Sequence, residues 1–472
     1  MPRLCWRCLS SLSGQEQRKL PMPRTLLLTF SLLTLTACAP SLTATPPNAA
    51  TLALKEQIQR TSLTFPATDI QLSSGLDGGL LLSGRLEGRY FSANFPPDWN
   101  HEAVLYAHGY RLPDDKQDTA ASDLIQGDDT RGVLPNAYRQ GFAVARSVYD
   151  KRGFAVQSGI VNTLRLKRFM DMLGSTRDYI TGSSLGGSVV MGLIEKYPDA
   201  FAGAISGCGA VSDWQFEVKY LTDLRALYNY FTQGTPYALP GTQDVTQGPL
   251  KVDPRELLKP VGQLFLRAKL NPGGREARLI DTIASAVPDV KVMPDIPTFF
   301  ASLGAQLFGL NDITATAGGI FASNADTVYH SPLLTAQENA ALNAGIQRYR
   351  ASSPQAVVYA QDWYSATGRF KTKLLTYHNT ADPLVPFEHE ARLRARVEAA
   401  GNTANLVQQT VEPRLQTLTR VLLYRVQGIE HCGFSSEQTA FAFAELRRWV
   451  EDGVRPQDGL DITRPPQEKP TP

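Results

Sequence analysis

Ser184, Asp382 and His431 are the residues in this chain whose types and contexts support chemistry together. The serine lies in Gly182-Ser183-Ser184-Leu185-Gly186, the aspartate in Asn379-Thr380-Ala381-Asp382-Pro383-Leu384-Val385-Pro386, and the histidine in Gly428-Ile429-Glu430-His431-Cys432. A serine hydroxyl is a weak nucleophile at neutral pH, so a neutral imidazole must take its proton as it attacks. A buried carboxylate must hold that imidazole in one tautomer and stabilise the imidazolium that forms. The three fall in the order nucleophile, acid, base, which separates this arrangement from two other chain orders that build the same geometry. The other histidines compete poorly. His108 suits a loop-shaping role, His378 and His389 flank the acid, and His101 and His330 have no partner motif. Glu430 adjoins the base, but neighbouring side chains on an extended segment point apart, so it is a weak rival to Asp382.

The pentapeptide alone decides little, because 37 glycines in 472 residues make a G-x-S-x-G a common accident. The elements that must position the serine are more telling. Residues 177–181 read as a short buried strand, and 185–197 read as a helix stopped by Pro198. A serine on so sharp a strand–turn–helix junction has a strained backbone and an exposed hydroxyl, and Gly182 and Gly186 leave room for strand and helix to approach. Residues 372–378 read as the strand that delivers Asp382 to a sheet edge, where open α/β sheets keep their sites. His431 follows a strand-like stretch, 421–427, and precedes a helix for which Ser435 and Gln438 are spaced as a capping box.

These motifs resemble the α/β-hydrolase superfamily, specifically secreted bacterial esterase-like and prolyl-oligopeptidase-like members, over about residues 78–210 and 371–452. Three more stretches carry the resemblance: residues 102–110, a strand ending in His108-Gly109-Tyr110; residues 141–149; and the amphipathic segment 158–173, with Leu166, Phe169, Met170 and Leu173 on one face. The resemblance implies an α/β fold, a mostly parallel central sheet flanked by helices, with a large helical cap inserted between core strands 6 and 7. It also implies an oxyanion hole made by the backbone amides of Tyr110 and Leu185, where removing one donor typically costs about 3–4 kcal/mol.

The N-terminus bears on compartment. Residues 25–34 form an apolar run too short to span a bilayer at about 1.5 Å per residue, as in a signal peptide. It ends in Leu35-Thr36-Ala37-Cys38, which resembles a bacterial lipobox with Cys38 as the lipidated residue; plain secretion is the alternative. Met22 is an alternative start. Loss of residues 1–37 leaves 42 basic against 44 acidic residues, a balance with no basic patch for nucleic acid. Apart from Cys5-Trp6-Arg7-Cys8 in the segment read as a leader, no C-x-x-C, H-E-x-x-H or close cysteine–histidine cluster announces a metal, and no cofactor is expected. With Cys5 and Cys8 in the leader and Cys38 lipidated, Cys208 and Cys432 remain. Cys208 ends a strand-like stretch after the nucleophile unit, and Cys432 adjoins the base, so a disulfide pinning the histidine loop is expected, with two buried free thiols as the alternative. In tannase and feruloyl-esterase relatives a cysteine beside the histidine pairs with one just before the serine. Here Ser183 holds that position, so tannase activity is not implied.

The organisation expected is a signal peptide over 1–37, a lipid-anchored linker over 38–66, a hydrolase core over 67–210 and 371–454, a helical cap over 211–370 and a disordered tail over 455–472. Within the cap, helices are expected at 214–231, from Asp253-Pro254 onward and at 334–350. Tyr228, Phe231, Phe299 and Phe300 are either pocket lining or core. The functional expectation is an extracytoplasmic, lipid-anchored serine hydrolase acting on small-molecule esters. A prolyl-oligopeptidase-type peptidase acting on short peptides, or a non-catalytic binding lipoprotein, is the alternative.

Overall fold

The computed structural model describes residues 49–111, 130–241, 243–248, 253–421 and 424–466. Residues 1–48, which hold the expected signal peptide, the expected lipidation site Cys38 and part of the expected linker, lie outside the described residues.

The central element is a nine-stranded sheet. Its strands are β1 (Ala67–Ser74), β2 (Leu80–Leu86), β3 (Arg89–Phe95), β4 (Glu102–Ala107), β5 (Ala143–Ser147), β6 (Arg177–Ser183), β7 (Gly203–Gly207), β8 (Lys373–Asn379) and β9 (Leu406–Val411), in the spatial order β1-β2-β3-β5-β4-β6-β7-β8-β9. β1, β2 and β3 form an antiparallel meander, β3 pairs antiparallel with β5, and every pair from β5 to β9 is parallel. The parallel strands are buried on both faces, which is why β4 and β7 read as continuous apolar or small-residue runs rather than as alternation. On one face lie α3 (Val156–Met172), α4 (Leu185–Lys196) and α11 (Glu388–Ala399); on the other lie α2 (Val133–Arg139) and α12 (Ser436–Glu451).

The register aligns the carboxyl ends of the central strands, where Ala107 pairs with Gly182, Ser183 with Gly207, and Gly207 with Tyr377. The segments leaving these ends carry His108, Ser184, Cys208 and Asp382. The topology alone therefore gathers residues that are 274 positions apart in sequence.

Between β7 and β8 the chain forms α5 (Trp214–Thr232), α6 (Pro254–Leu270), α7 (Arg275–Ala286), α8 (Ile296–Ala317), α9 (Ala336–Gly345) and α10 (Pro354–Tyr364). The expected helices at 214–231 and from Pro254 are present. That at 334–350 is shorter, starting at the Thr335–Glu338 capping box. Sequence reading missed α7, α8 and α10. α8 is apolar around much of its circumference, so no stripe marks it, and it is buried through Phe299, Leu303, Leu307 and Leu310. Tyr228 and Phe299 are fully buried and in edge contact, so they belong to the core.

Three further expectations differ from the structure. Residues 49–64, inside the expected linker, form helix α1 (Ala49–Thr64), which buries Leu54 and Ile58. The tail from 455 is ordered as far as the described residues reach: Arg455 donates to the Leu406 carbonyl, Thr410 bridges to Asp461, and Ile462 is buried. The strand before His431 is β11 (Tyr424–Ile429), which pairs with β10 (Leu415–Val421) in a separate two-stranded hairpin; the last strand of the main sheet is β9.

Candidate active site

Ser184 sits between β6 and α4 with φ 58° and ψ −129°, a left-handed conformation that costs a non-glycine residue roughly 1–3 kcal/mol. The turn is tight because its flanks touch. A Cβ at Gly186 would overlap the Ala107 carbonyl oxygen, and one at Gly182 would lie 2.5 Å from the Gly186 oxygen. The Ser184 amide donates to the Gly207 carbonyl at the end of β7 (3.1 Å). Leu185 opens α4, where first-turn N–H groups have no carbonyl four residues back. Gly109, before Tyr110, runs close enough that a Cβ on it would be 3.6 Å from the Ser184 Cβ. His108 is buried, stacks on Tyr149 and accepts that tyrosine's hydroxyl on its carbonyl (3.1 Å), which braces this loop.

Asp382 and His431 are brought together. His431 Nδ1 lies 2.8 Å and 3.0 Å from the two carboxylate oxygens, and the amides of Leu384, Val385 and Cys432 donate to the same carboxylate at 2.9 Å each. Four N–H donors therefore converge on the Asp382 carboxylate. Burial pushes its pKa up, but the charge and hydrogen bond of His431, the charge of His378 and the Cys432 amide outweigh it and hold the group down at about 2. An ionised carboxylate facing Nδ1 makes that nitrogen the donor and leaves the Nε2 lone pair available as a base. Among the described residues no hydrogen bond joins Ser184 to His431; Nε2 lies 3.3 Å from Cys432 Sγ.

Glu430 points to Arg131 (3.5 Å), away from the imidazole, and Arg131 also donates to the His431 carbonyl (3.2 Å). His378 and His389 are fully buried behind the acid instead of lining a cavity. His378 bonds Glu390 through Nδ1 and the Val385 carbonyl through Nε2, both at 3.1 Å; although burial disfavours its charge, Glu390 and Asp382 raise its pKa. His389 spans Glu217 Oε2 (3.0 Å) and Ser212 Oγ (2.7 Å), and burial drives its pKa well down. Ser302 of α8, itself bonded to Tyr220 of α5 (2.7 Å), donates to the Pro383 carbonyl (2.9 Å), so the inserted helices hold the loop that carries Asp382. Sequence reading missed Arg131, Glu217, Tyr220 and Ser302. Each acts across more than 80 residues of chain, and no local spacing marks it.

Cys208 and Cys432 form a disulfide, Cα–Cα 5.3 Å, across a sequence separation of 224. Their backbones sit at φ 43° and φ 64°; with Ser184 and Arg131 they make four of the nine described non-glycine residues at positive φ, so backbone strain concentrates here. Ligand-type atoms of Cys208, Asp382, His431 and Cys432 all lie within 4.8 Å of one another. Only the His431-Cys432 half of that cluster is adjacent in sequence, so spacing could not reveal it.

No family model matches the chain, and no curated protein matches it. Solved structures similar to it include an esterase from Aspergillus oryzae (15% identity, 80% of each chain covered, TM-score 0.43). Feruloyl esterase B from the same organism aligns at 12% identity over 85% of this chain and 91% of that one (TM-score 0.46), and Candida antarctica lipase A in its closed state at 14% over 86% and 88% (TM-score 0.43). These likenesses are loose, and the weight falls on topology. The strand order, with its antiparallel lead-in and six parallel strands, and the strand–turn–helix at Ser184 give this chain the α/β-hydrolase fold.

Proposed function

We propose that this protein is a serine hydrolase of carboxylic esters working through an acyl-enzyme. One observation carries the reading: an imidazole, His431, is held by a buried ionised carboxylate at 2.8 Å, on the sheet edge where Ser184 occupies a strained elbow. In the proposed cycle Ser184 Oγ attacks the ester carbonyl carbon while its proton passes to His431 Nε2. The Leu185 and Tyr110 amides bind the oxyanion. As the tetrahedral intermediate collapses, the C–O bond to the alcohol breaks and Nε2 returns the proton to the leaving oxygen. Water, deprotonated by the same nitrogen, then releases the acid and restores the serine. Helices α5–α10 act as a cap over the substrate. An ester is favoured over a peptide because the described residues form helices there and no propeller blades. The leader and Cys38 extend the reading to a lipid-anchored, extracytoplasmic enzyme.

Labelling with a fluorophosphonate probe, followed by a panel of p-nitrophenyl esters and aminoacyl substrates, tests the reading. Ser184→Ala is expected to abolish labelling and to leave at most the roughly 10³–10⁴-fold residual over water seen in triad knockouts. His431→Ala is expected to be nearly as damaging, and the double variant no worse than either single one. Full turnover in Ser184→Ala, or additive losses in the double variant, overturns the assignment.

A further inference from the structure

The disulfide and the histidine form one cluster. We propose that opening Cys208–Cys432 converts the centre into a site for a thiophilic divalent cation such as Zn²⁺, with Cys208 Sγ, Cys432 Sγ and His431 Nε2 as protein ligands and water as the fourth. The intact disulfide then has a chemical role besides crosslinking: it keeps the histidine free.

The geometry points to this in four ways. First, the spacing fits. Zn–S bonds of about 2.3 Å and Zn–N bonds of about 2.0–2.1 Å at a tetrahedral angle separate sulfur and nitrogen by about 3.5 Å, and Cys432 Sγ lies 3.3 Å from Nε2. Second, each cysteine's backbone has an anchor besides the S–S bond. The Cys208 amide donates to the Tyr377 carbonyl (2.8 Å), and the Cys432 amide to Asp382 Oδ2 (2.9 Å), so each keeps one tether when the disulfide opens. Third, the outer layer of a zinc site is already built. Asp382 holds Nδ1 at 2.8 Å and its oxygens are taken by three amides, so it orients the ligand histidine rather than binding the ion itself. Fourth, there is an access route and a charge to neutralise. The His431 side chain is 23% exposed whereas Asp382 and both cysteines are buried, and two thiolates beside a buried carboxylate make an anionic pocket that a divalent ion relieves.

The chemistry balances with a small dithiol as reductant. The dithiol supplies two electrons and two protons, the Cys208–Cys432 bond breaks to two thiols, and the dithiol closes to a cyclic disulfide. Metal binding then displaces the two thiol protons. The proposal does not rest on the hydrolase reading, because neither the site nor its test requires substrate.

The test uses the full-length chain, reduced with excess dithiol, freed of it under argon and titrated with Co²⁺. The Cys208→Ser/Cys432→Ser double variant supplies the background from Cys5, Cys8 and Cys38. A thiolate-to-cobalt charge-transfer band above that background, saturating at about one ion per chain and displaced by Zn²⁺, is expected in the reduced protein and not in the oxidised one. His431→Ala should weaken cobalt binding by about tenfold or more, and Asp382→Asn by about 10–100-fold. A disulfide that the dithiol does not open, a reduced chain that loses its native circular dichroism, free thiols with no added band, or an affinity unchanged in His431→Ala would each overturn the proposal.

Discussion

At the scale of single residues, the two buried ionisable groups behind His431, Asp382 and His378, set opposite pH dependences. The Asp382 carboxyl is lowered to about 2 in the folded chain, against an ordinary value of about 3.9. Its stabilising contribution, roughly 2–3 kcal/mol by linkage, is therefore complete above about pH 5 and lost as pH falls through about 2. His378 is raised, so its contribution is complete below about pH 6.5 and lost as pH rises through the folded value. Urea denaturation across pH should show both limbs. Asp382→Asn should flatten the acid one and His378→Gln the alkaline one, and an unchanged acid limb in Asp382→Asn would show that other carboxylates carry it. The residue contexts of Ser184, Asp382 and His431 were legible in sequence because each lies in a short motif. The partners that hold Asp382, Ser302 and His378 among them, were not, since their meaning comes from contacts that no local pattern encodes.

At the scale of elements, the strand–turn–helix at Ser184 depends on backbone contact, not side-chain packing. Gly186 lies against the Ala107 and His108 carbonyls, so Gly186→Ala has to push β4 and α4 apart. It is expected to cost about 1–3 kcal/mol and to lower turnover further, because the Leu185 amide moves with the helix. Gly273, between α6 and α7, has nothing near its Cβ direction and no positive φ, so Gly273→Ala should stay within about 0.5 kcal/mol of the parent. Denaturation midpoints and kcat for the two variants check this; equal midpoints would defeat the close-approach account. Elements with a strong local signature, such as β6, α4 and the capped start of α12, were readable directly. α8 and the β10–β11 hairpin were not: α8 carries apolar residues on too many sides for its sequence to show a stripe, and strand-like sequence cannot say which sheet a strand joins.

At the scale of the whole molecule, one crosslink joins the two halves of the core. Cys208 follows β7, and Cys432 lies beyond all six inserted helices and the last sheet strand, 224 residues away. Closing so long a loop contributes about 5 kcal/mol in the chain-entropy model, less any native strain. Replacing both cysteines with alanine should therefore lower Tm by several degrees and reduce turnover, since the His431 loop loses a tether and small displacements of a base cost large factors in rate. A Tm unchanged by the double replacement would show that the surrounding hydrogen bonds already fix the loop. The location is tested separately: Cys38→Ser is expected to release the protein from membranes, because a short apolar run cannot hold it without acylation. Retention of that variant, or absence of palmitate label in the parent, would remove the anchor.

The sequence by itself determined the chemistry on offer and the order in which the chain presents it. Serine, aspartate and histidine each sit in a turn that local rules recognise, and the apolar parallel strands specify a sheet buried on both faces. The tertiary structure alone decided which of these groups meet. Strand register places Ser183 beside Gly207 and Gly207 beside Tyr377, so the segments leaving three strands converge on one edge. The inserted helices reach down to grip the acid loop, and a histidine and two cysteines from distant segments form a single cluster. The physical reason is that side-chain periodicity reports which face of an element is buried, while the identity of the neighbour on that face is settled only when the whole chain packs.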